Sequence, residues 1–412
     1  MKASTLLFNS LLPAAAVAQN ITFLTGFLQT LQGAGLTQLA TVATQLNSSS
    51  VGQYLLANIS NGSPHILFAP NNEALSNAPK NITGDLGRLT DVFGYHIVPG
   101  NFSNSVTRYP NVTLGRTLLT DPALVHLEGG NKAQVLAWAQ RADNRTHVLN
   151  QRNDSTVVNV TSFGNLTVFI VDHLLEIPQD FNTTVPTNNE SLSAIQTVLG
   201  NVQTPIFDAT NNQTSNVTLL DAINSQWHGF TFFAPNNDAV QSAMSTIQGL
   251  AGNATAVQNV LYNHIINGST VYSPVLAGQN FTSTAGEDLG FTINSTGQYV
   301  TSGNITARIV QPNVLLPNGV IHVIDKVLLN TQADSSAASS AIASATSAAA
   351  VTPTETQPIG FSQTQSLNPS GSATGTSGNN SGAITLLPSL DAFVGLGLSV
   401  VAALVGGVLT IV

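Results

Sequence analysis

Residues 66–75 read Ile-Leu-Phe-Ala-Pro-Asn-Asn-Glu-Ala-Leu, and the chain contains a second copy of this motif. Residues 231–240 read Thr-Phe-Phe-Ala-Pro-Asn-Asn-Asp-Ala-Val, and the prolines of the two copies are 165 residues apart. A second pair of matches follows in the same order, Tyr95-His96 and Asn263-His264, with a spacing of 168 residues. Since solenoid repeats are only about 20–50 residues long, this period indicates two tandem domains.

Both copies predict the same local structure. The apolar run predicts a buried strand, and the proline ends it because proline has no N–H for the ladder. Asn71 or Asn72 can cap the helix that follows, and the acidic residue after them lies where the helix dipole favours negative charge. The motif is therefore a strand-to-helix corner with a structural role. Its residues are Phe68, Ala69, Pro70, Asn71, Asn72, Phe233, Ala234, Pro235, Asn236 and Asn237.

The second repeat closes with residues 315–329, Leu-Leu-Pro-Asn-Gly-Val-Ile-His-Val-Ile-Asp-Lys-Val-Leu-Leu. Asn318-Gly319 between two β-rich runs predicts a tight hairpin turn. The run after the turn is apolar enough to be a central strand. Within it His322 is interpreted as a hydrogen-bonded core residue, and Asp325 is expected to pair with the backbone or with a neighbouring turn.

The first repeat closes differently. In residues 164–175 Asp172 stands where Asp325 does, but Phe169 replaces His322 and the Asn-Gly order is lost. We therefore expect the first repeat to keep the strand and to change the turn.

Taken in series, the Phe-Ala-Pro-Asn-Asn corner, the Tyr/Asn-His segment and the closing motif resemble the fasciclin (FAS1, beta-Ig-H3) domain. The resemblance implies an α+β protein with two tandem wedges, each a mostly antiparallel β-sheet packed with several α-helices. The segment after them is rich in Ser, Thr and Ala and has too little apolar surface to offset its ordering entropy, so we expect a disordered stalk there. The expected boundaries are 19–178 for the first domain, 188–330 for the second and 331–382 for the stalk. The apolar periodicity agrees, because it predicts helices near residues 23–31 and 192–199.

The composition excludes several classes of protein. The 412 residues include no cysteine, which excludes disulfides, thiol catalysis and cysteine-ligated zinc. The net charge is −9 with only 11 Lys and Arg, so nucleic-acid binding is not expected. None of the 8 histidines forms a His-x-x-x-His or His-Glu-x-x-His spacing, and we expect neither a metal nor a cofactor.

The two ends of the sequence resemble processing signals. Residues 1–18 carry an early lysine, an apolar stretch and Ala16-Val17-Ala18, which is typical of a signal peptide; an ordinary amphipathic helix is the alternative. Residues 383–412 form an apolar tail after a run of small residues, which predicts a GPI-attachment signal that is removed. Asn380 is the expected attachment residue, with Gly378, Asn379 and Ser381 as alternatives. A single membrane-spanning helix is the alternative there.

Asparagine sequons of the form Asn-x-Ser/Thr occur about twenty times, which predicts heavy N-glycosylation of an extracellular protein. Only 8% of the residues are charged, against about 25% in ordinary domains, so sugars would supply the missing hydration. The representative sequons are Asn20, Asn58, Asn81, Asn111, Asn165, Asn216, Asn253, Asn280 and Asn304.

No catalytic motif is present. The chain contains neither a Gly-x-Ser-x-Gly elbow nor a glycine-rich phosphate loop. A glycosidase would need two carboxylates facing one cleft, and the pairs that could be suggested, Asp85 with Asp91 and Glu287 with Asp288, look like exposed loop charges. We therefore predict that the protein is not an enzyme.

The family resemblance implies an adhesion module that binds receptors, matrix proteins or glycans. In animal members a Tyr-His segment is tied to integrin binding, and the matching positions are Tyr95, His96, Asn263 and His264, although the second repeat lacks the tyrosine. The alternative is that these residues end a helix and pack beneath the sheet.

The sequence thus predicts a cell-surface adhesion, cell-wall or extracellular-matrix interaction protein. Its expected location is the outer leaflet of the plasma membrane, through a GPI anchor, or the cell wall. The expected partners are cell-surface or matrix proteins or glycans, and no nucleic acid. A glycan-binding module without catalysis and a polysaccharide-active enzyme are the alternatives.

Overall fold

The computed structural model describes residues 14–102, 107–130, 132–152, 154–208, 212–250, 252–350 and 356–360. Most of the predicted signal peptide, the later part of the predicted stalk, Asn380 and the predicted GPI signal lie outside these ranges. Among the residues that the structure describes, no helix is long and apolar enough to cross a membrane.

The first domain consists of seven strands and six helices within the described ranges. Its elements are α1 (Ala14–Gly33), α2 (Thr37–Leu46), α3 (Ser50–Ser60), β1 (His65–Pro70), α4 (Asn72–Ser76), α5 (Lys80–Thr83), α6 (Leu86–Tyr95), β2 (Ile97–Pro99), β3 (Thr113–Arg116), β4 (Val135–Gln140), β5 (Thr146–Val148), β6 (Ser155–Phe163) and β7 (Leu166–Val171).

The second domain repeats this order with an added hairpin, β8–β9, and one further helix follows it. The elements are α7 (Phe181–Asn188), α8 (Ser193–Leu199), β8 (Gln203–Asp208), β9 (Gln213–Thr218), α9 (Leu219–Asp221), β10 (Phe230–Pro235), α10 (Asn237–Leu250), α11 (Ala254–Tyr262), β11 (Ile265–Asn267), α12 (Ser273–Leu276), β12 (Asn280–Thr282), β13 (Asp288–Asn294), β14 (Gly297–Ser302), β15 (Ile305–Leu315), β16 (Val320–Ile324) and α13 (Ser335–Ala349).

The two large sheets have the same strand order. It is β2-β1-β7-β6-β5-β4-β3 in the first domain and β11-β10-β16-β15-β14-β13-β12 in the second. The corner strand pairs in parallel with the closing strand in each sheet, β1 with β7 and β10 with β16, and the other pairs are antiparallel. The tandem duplication and the α+β class predicted from the sequence are confirmed.

The corner strand is buried on both faces. In β1 the residues Leu67 and Ala69 pack into the cluster formed by α1, α2, α3 and α6. Ile66 and Phe68 point the other way, and the Phe68 ring lies 5.4 Å from the ring of Trp138 in β4. Because successive side chains of a strand alternate between faces, a strand between two apolar layers must be apolar at every position.

The two asparagines of the corner cap two different helices. Asn71 Oδ1 accepts a hydrogen bond from Ala74 N at 2.7 Å and so caps α4. Asn72 Oδ1 accepts one from Gln38 N at 3.0 Å, in the first turn of α2, and its amide nitrogen donates to Gly35 O at 3.0 Å. The choice that the sequence left open is therefore resolved, since each asparagine is a cap.

The second corner uses the same contacts. Asn236 caps α10 through Ala239 N at 2.8 Å. Asn237 accepts a hydrogen bond from Ala194 N at 2.9 Å, at the start of α8, and donates to Glu190 O at 3.0 Å. The paired asparagines thus fix the strand, the helix after it and the helix before it in one place.

The closing turns differ between the domains, as the sequence predicts. Between β15 and β16 the Asn318 amide nitrogen donates to Ile223 O at 2.8 Å and to Trp227 O at 2.9 Å. A Cβ on Gly319 would lie only 2.7 Å from Phe230, so glycine is required there. In the first domain Gly164, with φ 58°, takes the turn between β6 and β7, and the strand that follows is kept.

The start of the predicted stalk is ordered, contrary to the expectation of disorder for residues 331–382. Asp334 caps α13 by accepting hydrogen bonds from Ser336 N and Ala337 N at 2.9 and 3.0 Å. Residues 356–360 then reach the first domain, where Ile359 N donates to Leu114 O at 2.9 Å. Alanine favours helix, and small side chains can lie close to backbone, so a segment with few large apolar residues still packs. We call the described residues between 331 and 360 the strap.

Candidate functional site

The two histidines singled out by the family resemblance make equivalent hydrogen bonds in the two domains. His96 Nδ1 lies 2.7 Å from the carbonyl oxygen four residues earlier in α6, and Nε2 accepts a hydrogen bond from Leu175 N at 3.0 Å. His264 makes the same contacts in α11, at 2.7 Å, and with Leu328 N at 2.9 Å. Each ring therefore carries its proton on Nδ1 and joins a helix end to the chain just beyond the closing strand.

Both rings lie in the core. The exposed fraction is 0% for His96 and 1% for His264, and burial lowers the pKa of each to about 4. This is the arrangement of the second interpretation of these residues, helix ends packed beneath the sheet. Partner binding by these side chains stays a prediction, and it would require the domain to open.

The residue before each histidine is also buried. Tyr95 Oη donates to Val135 O at 3.3 Å and is hydrogen bonded to the Gln151 side chain. Burial raises the pKa of the Tyr95 hydroxyl. Asn263 instead donates to Asn330 O and Gln332 O, both at 3.0 Å. The tyrosine therefore links α6 to β4 and to the loop before β6, whereas the asparagine links α11 to the strap and the residue before it.

His322 is a core residue, as its strand position predicts. Its ring stacks on Phe233 at 5.4 Å, and its Nε2 lies 2.9 Å from Val271 O. Burial lowers its pKa to about 4. At the same register of the first sheet Phe169 packs against Phe68 at 5.5 Å. Each corner strand thus packs an aromatic ring against a ring of the closing strand. The closing-strand ring is a histidine in the second domain and a phenylalanine in the first.

The closing aspartate of each domain accepts a hydrogen bond from a backbone N–H group of the neighbouring strand. Asp325 Oδ1 accepts a hydrogen bond from Arg308 N at 2.8 Å, and Asp172 Oδ1 accepts one from Thr156 N at 2.7 Å. Each carboxylate thereby anchors the end of the closing strand to the strand beside it. This is the backbone pairing expected for Asp325.

The suggested carboxylate pairs are not all exposed loop charges, contrary to the expectation, because Asp91 is half-buried within α6. Asp85 caps α6 by accepting hydrogen bonds from Gly87 N at 2.9 Å and Arg88 N at 3.2 Å. Burial, with the charges of Asp121 and Asp85, raises the pKa of Asp91 to about 6. In the other pair, Glu287 is half-buried before β13 and Asp288 is exposed at its start. Within the described ranges, no three His, Cys, Asp or Glu side chains are grouped as metal ligands would be.

The representative sequons lie mostly on the surface. Asn58 is half-buried, and Asn20 lies in α1. The exposed ones are Asn81, Asn111, Asn165, Asn216, Asn253, Asn280 and Asn304. Of the remaining sequons, Asn189 differs, because it is 7% exposed and its amide nitrogen donates to Gln311 Oε1 at 2.9 Å. The occupancy of every sequon stays a prediction.

The two domains share an apolar interface, which we call the seam. It is sealed by hydrogen bonds between segments far apart in sequence: Gln134 Nε2 donates to Leu316 O at 3.1 Å, and His126 N donates to Pro317 O at 2.7 Å. The apolar cluster of the seam consists of Val112, Leu114, Val135, Ala137, Ala139, Leu149, Tyr272, Leu315, Val320 and Ile359.

A cleft of about 380 Å³ lies beside the seam, and both domains contribute to its wall. This volume is within the range of about 300–1,000 Å³ typical of ligand sites, which often form between domains. We call it the interdomain cleft. Its wall consists of Tyr109, Arg141, Leu149, Asn150, Gln151, Asp154, Val310, Gln311, Pro312 and Val314.

One aromatic ring and one ion pair dominate the first-domain wall of the cleft. Tyr109 is 37% exposed, and the Arg141 guanidinium carbon lies 5.3 Å from the centre of its ring. Arg141 also forms an ion pair with Asp154. The guanidinium is therefore held by both an aromatic face and a carboxylate.

Hydrogen bonds fix the amide side chains of the wall. Asn150, with φ 60°, donates from its amide nitrogen to Asn313 O of the other domain. Gln151 Oε1 accepts a hydrogen bond from Glu176 N at 2.6 Å. Gln311 Oε1 accepts one from Asn189, and no partner for its amide nitrogen occurs among the described residues. These hydrogen bonds hold the three amide side chains of the wall in fixed positions.

The sequence interpretation missed the cleft, because its residues come from loops and strands outside the repeated motifs. One signal was available. Six of the 11 Lys and Arg residues lie between positions 108 and 152, which marks a local change of chemistry in an acidic chain. Another cavity, about 30 Å³ and apolar, lies between α8, α10 and α11 and is far too small for a comparable ligand.

The chain is similar to known proteins over part of its length. Residues 206–330 match the family model of the fasciclin domain. The chain is 26% identical over 243 residues to a fasciclin-like arabinogalactan protein of Arthroderma benhamiae, covering 58% of this chain and 51% of that protein. It is 38% identical over 101 residues to human periostin, covering 24% of this chain and 12% of periostin.

The transforming growth factor-beta-induced protein ig-h3 of Oryctolagus cuniculus is 23% identical over 269 residues, covering 64% of this chain and 34% of that protein. The chain therefore spans about half the length of the arabinogalactan protein and less of the two animal proteins. A solved FAS1 domain pair from the insect cell adhesion molecule Fasciclin I aligns with a TM-score of 0.33 and 17% identity. The alignment covers 72% of this chain and 98% of the solved chain.

The matched segment, residues 206–330, contains the second corner and the second closing motif, which are among the residues that carried the resemblance. Residues 206–330 are therefore assigned as a fasciclin (FAS1) domain. The first domain has the same strand order as the second, so the tandem arrangement fits this family.

Proposed function

We propose that this protein is a non-catalytic adhesion protein of the cell surface, cell wall or extracellular matrix, with cell-surface or matrix proteins or glycans as partners. The observation that carries the proposal is the fasciclin match over residues 206–330 together with the same framework in the first domain. Fasciclin domains are adhesion modules, as the resemblance implies. Two such modules on one chain can also add their affinities.

The cleft supports binding over hydrolysis. Asp154 is the only carboxylate among the described residues of its wall, and it is ion paired with Arg141. Glycosidases of the common type need two carboxylates on opposite sides of the scissile bond. A hydrolase that uses this cleft would lack the second group.

Secretion and lipid anchoring belong to the same proposal. The signal peptide at residues 1–18 would direct export, and a GPI anchor at Asn380 would hold the domains at the outer membrane leaflet. Treatment of intact cells with a phosphatidylinositol-specific phospholipase is expected to release the protein. Retention on the cells after complete digestion of a known GPI-anchored control would contradict the anchor.

The adhesion function is tested by attachment. Cells that carry the full-length gene and cells that lack it are allowed to settle on matrix proteins, on cell-wall polysaccharide and on each other. We expect the cells without the gene to detach at lower shear on at least one of these surfaces, with re-expression restoring attachment. Equal attachment on all surfaces would overturn the proposal.

A further inference from the structure

We propose that the interdomain cleft is a binding site for a neutral oligosaccharide. This inference rests on the proposed adhesion function and deepens it by naming the chemical class of one ligand. The site needs both domains, because its wall joins the β5–β6 connection of the first domain to β15 of the second.

The wall of the cleft has an apolar part and a polar part, which match the two kinds of surface of a sugar ring. A pyranose has apolar C–H faces and a rim of hydroxyl groups. The partly exposed ring of Tyr109 and the side chains of Val310 and Pro312 supply apolar wall, and Val310 is 41% exposed. Aromatic rings and aliphatic side chains can cover the C–H face of a sugar, because both are apolar and flat or smooth.

The polar part of the wall fits hydroxyl groups. A sugar hydroxyl both donates and accepts, so it is best met by side chains that provide donors and acceptors close together. The Arg141–Asp154 ion pair is such a combination, and Gln311 adds an amide whose nitrogen has no partner among the described residues. Hydrogen bonds to ionised groups are roughly twice as strong as neutral ones.

The charge balance points to a neutral ligand. Arg141 and Asp154 are the charged residues of the wall that the structure describes, and they neutralise each other. An acidic sugar would bring its carboxylate towards Asp154, whose own partner is already bound. A uronate or a phosphate would require an unpaired Lys or Arg side chain. The described wall residues include none.

The wall is held in place by contacts behind it. Asn150 is fixed to Asn313 across the seam, Gln311 is fixed by Asn189, and Gln151 is hydrogen bonded to the buried Tyr95 hydroxyl. A preformed site loses less ordering free energy on binding than a mobile one. The buried tyrosine of the Tyr-His segment thus acts as a positioning residue for the cleft.

The test is direct binding to the purified protein after enzymatic removal of its N-glycans, so that its own sugars do not compete. The probes are neutral gluco-, manno- and chito-oligosaccharides of four to six units, with an oligogalacturonate of equal length as the acidic probe, measured by calorimetry. We expect at least one neutral probe to bind with a Kd between about 10 µM and 1 mM, which corresponds to about 4–7 kcal/mol. The affinity should not change between low and high salt.

Two substitutions test the location. Tyr109→Ala removes the ring and is expected to weaken binding at least tenfold, whereas Tyr54→Ala, at a 62% exposed tyrosine on α3, should leave the Kd unchanged. Val310→Trp fills the cleft from the opposite wall and should abolish binding, even if Tyr109→Ala does not fold. Far-ultraviolet circular dichroism checks that each variant is folded.

The outcomes separate this inference from the proposed function. If no neutral probe binds, or if Val310→Trp binds as the unmodified protein does, the cleft is not a glycan site. Binding of the acidic probe alone, weakened by salt, would overturn the neutral class. The attachment experiment with the deleted gene is independent of all three results, so adhesion through a protein partner would survive them.

Discussion

At the residue scale, one histidine in each domain carries a structural hydrogen-bond pair. The ring joins a helix carbonyl on one side to a backbone N–H on the other, at nearly identical distances in the two copies. Only the neutral ring with its proton on Nδ1 can do this, because the opposite nitrogen must accept. In this chain the histidine of each segment therefore contributes to the fold.

Replacing His264 by phenylalanine tests this role. The ring shape is kept, but Leu328 N–H and the α11 carbonyl lose their partner in the core. We expect a loss of about 1–3 kcal/mol in the free energy of unfolding, measured with urea. His173→Phe is the control, because the His173 side chain is 51% exposed, and it should change stability by less than about 0.5 kcal/mol. Equal effects of the two variants would contradict the assignment.

The buried histidines also predict a dependence of stability on pH. Burial lowers the pKa of His96, His264 and His322 to about 4 in the folded protein, so the unfolded chain binds protons first as the pH falls below about 6.5. Their contribution is therefore complete above pH 6.5 and is lost progressively towards pH 4, by up to about 3 kcal/mol for each ring.

Thermal unfolding followed between pH 7.5 and 4.0 measures this loss. We expect the midpoint to fall steadily below pH 6.5, and we expect His264→Phe to show a shallower decline because one titrating ring is gone. A midpoint that stays constant down to pH 4.5 would show that the rings are not buried in the neutral form.

At the same scale, Asn189 is expected to carry no sugar in the folded protein. A glycan on its amide nitrogen would break the hydrogen bond to Gln311 and would have to leave a site that is 7% exposed. Exposed sequons such as Asn280 and Asn304 have no such obstacle. Glycopeptide mass spectrometry after digestion measures the occupancy of each site. Full occupancy of Asn189 in protein that still unfolds cooperatively would refute this expectation.

At the element scale, the paired asparagines explain why the corner motif occurs as a unit. The first caps the helix that follows the strand, and the second caps a helix that precedes it in sequence. Three elements thus meet at two neighbouring side chains. A substitution at either asparagine would therefore disturb the packing of three elements rather than only one turn.

The second asparagine of the corner makes hydrogen bonds to residues far away in sequence. Asn237→Ala would leave Ala194 N–H without its partner and would remove the side-chain hydrogen bond to Glu190 O, so we expect it to cost about 1–2 kcal/mol of stability by urea denaturation. Asn304→Ala, at an exposed position in the turn before β15, is the control and should cost little when both proteins are made without glycans. If the two substitutions cost the same, the double-capping role would be wrong.

Much of the element pattern could be predicted from the sequence, because its signals are local. The all-apolar run of β1, the proline after it and the Asn-Gly turn before β16 each act within a few residues. The strap and the cleft could not be predicted in this way. Gln134 meets Leu316 across 182 residues, and no periodicity within either segment carries that information.

At the scale of the whole molecule, the strap and the seam hold the two domains in one arrangement. Ile359 is 8% exposed and belongs to the apolar cluster shared by both domains, while its N–H pairs with the edge strand β3. The segment predicted to be a disordered spacer is therefore, in its first part, a piece of the interdomain core.

Ile359→Ser tests the strap. We expect the substitution to remove about 1.5–3 kcal/mol of the hydrophobic free energy that stabilises the seam, and to leave the separate domain cores intact. Limited proteolysis should then cut within residues 331–360 faster than in the unmodified protein, while the fragments of the domains resist. Val158→Ser, at a 47% exposed position on β6, is the control. Unchanged cleavage of the Ile359→Ser protein would show that the strap is not held by this side chain.

The path of the strap decides how the molecule carries mechanical load. The chain reaches residue 360 beside β3 of the first domain, although the second domain is nearer in sequence. A pulling force applied beyond residue 360 acts first on the contact between Ile359 and Leu114, and it reaches β16 only after the strap has come away. We therefore expect the first step in a single-molecule pulling trace to be release of the strap, which adds length before either sheet unfolds.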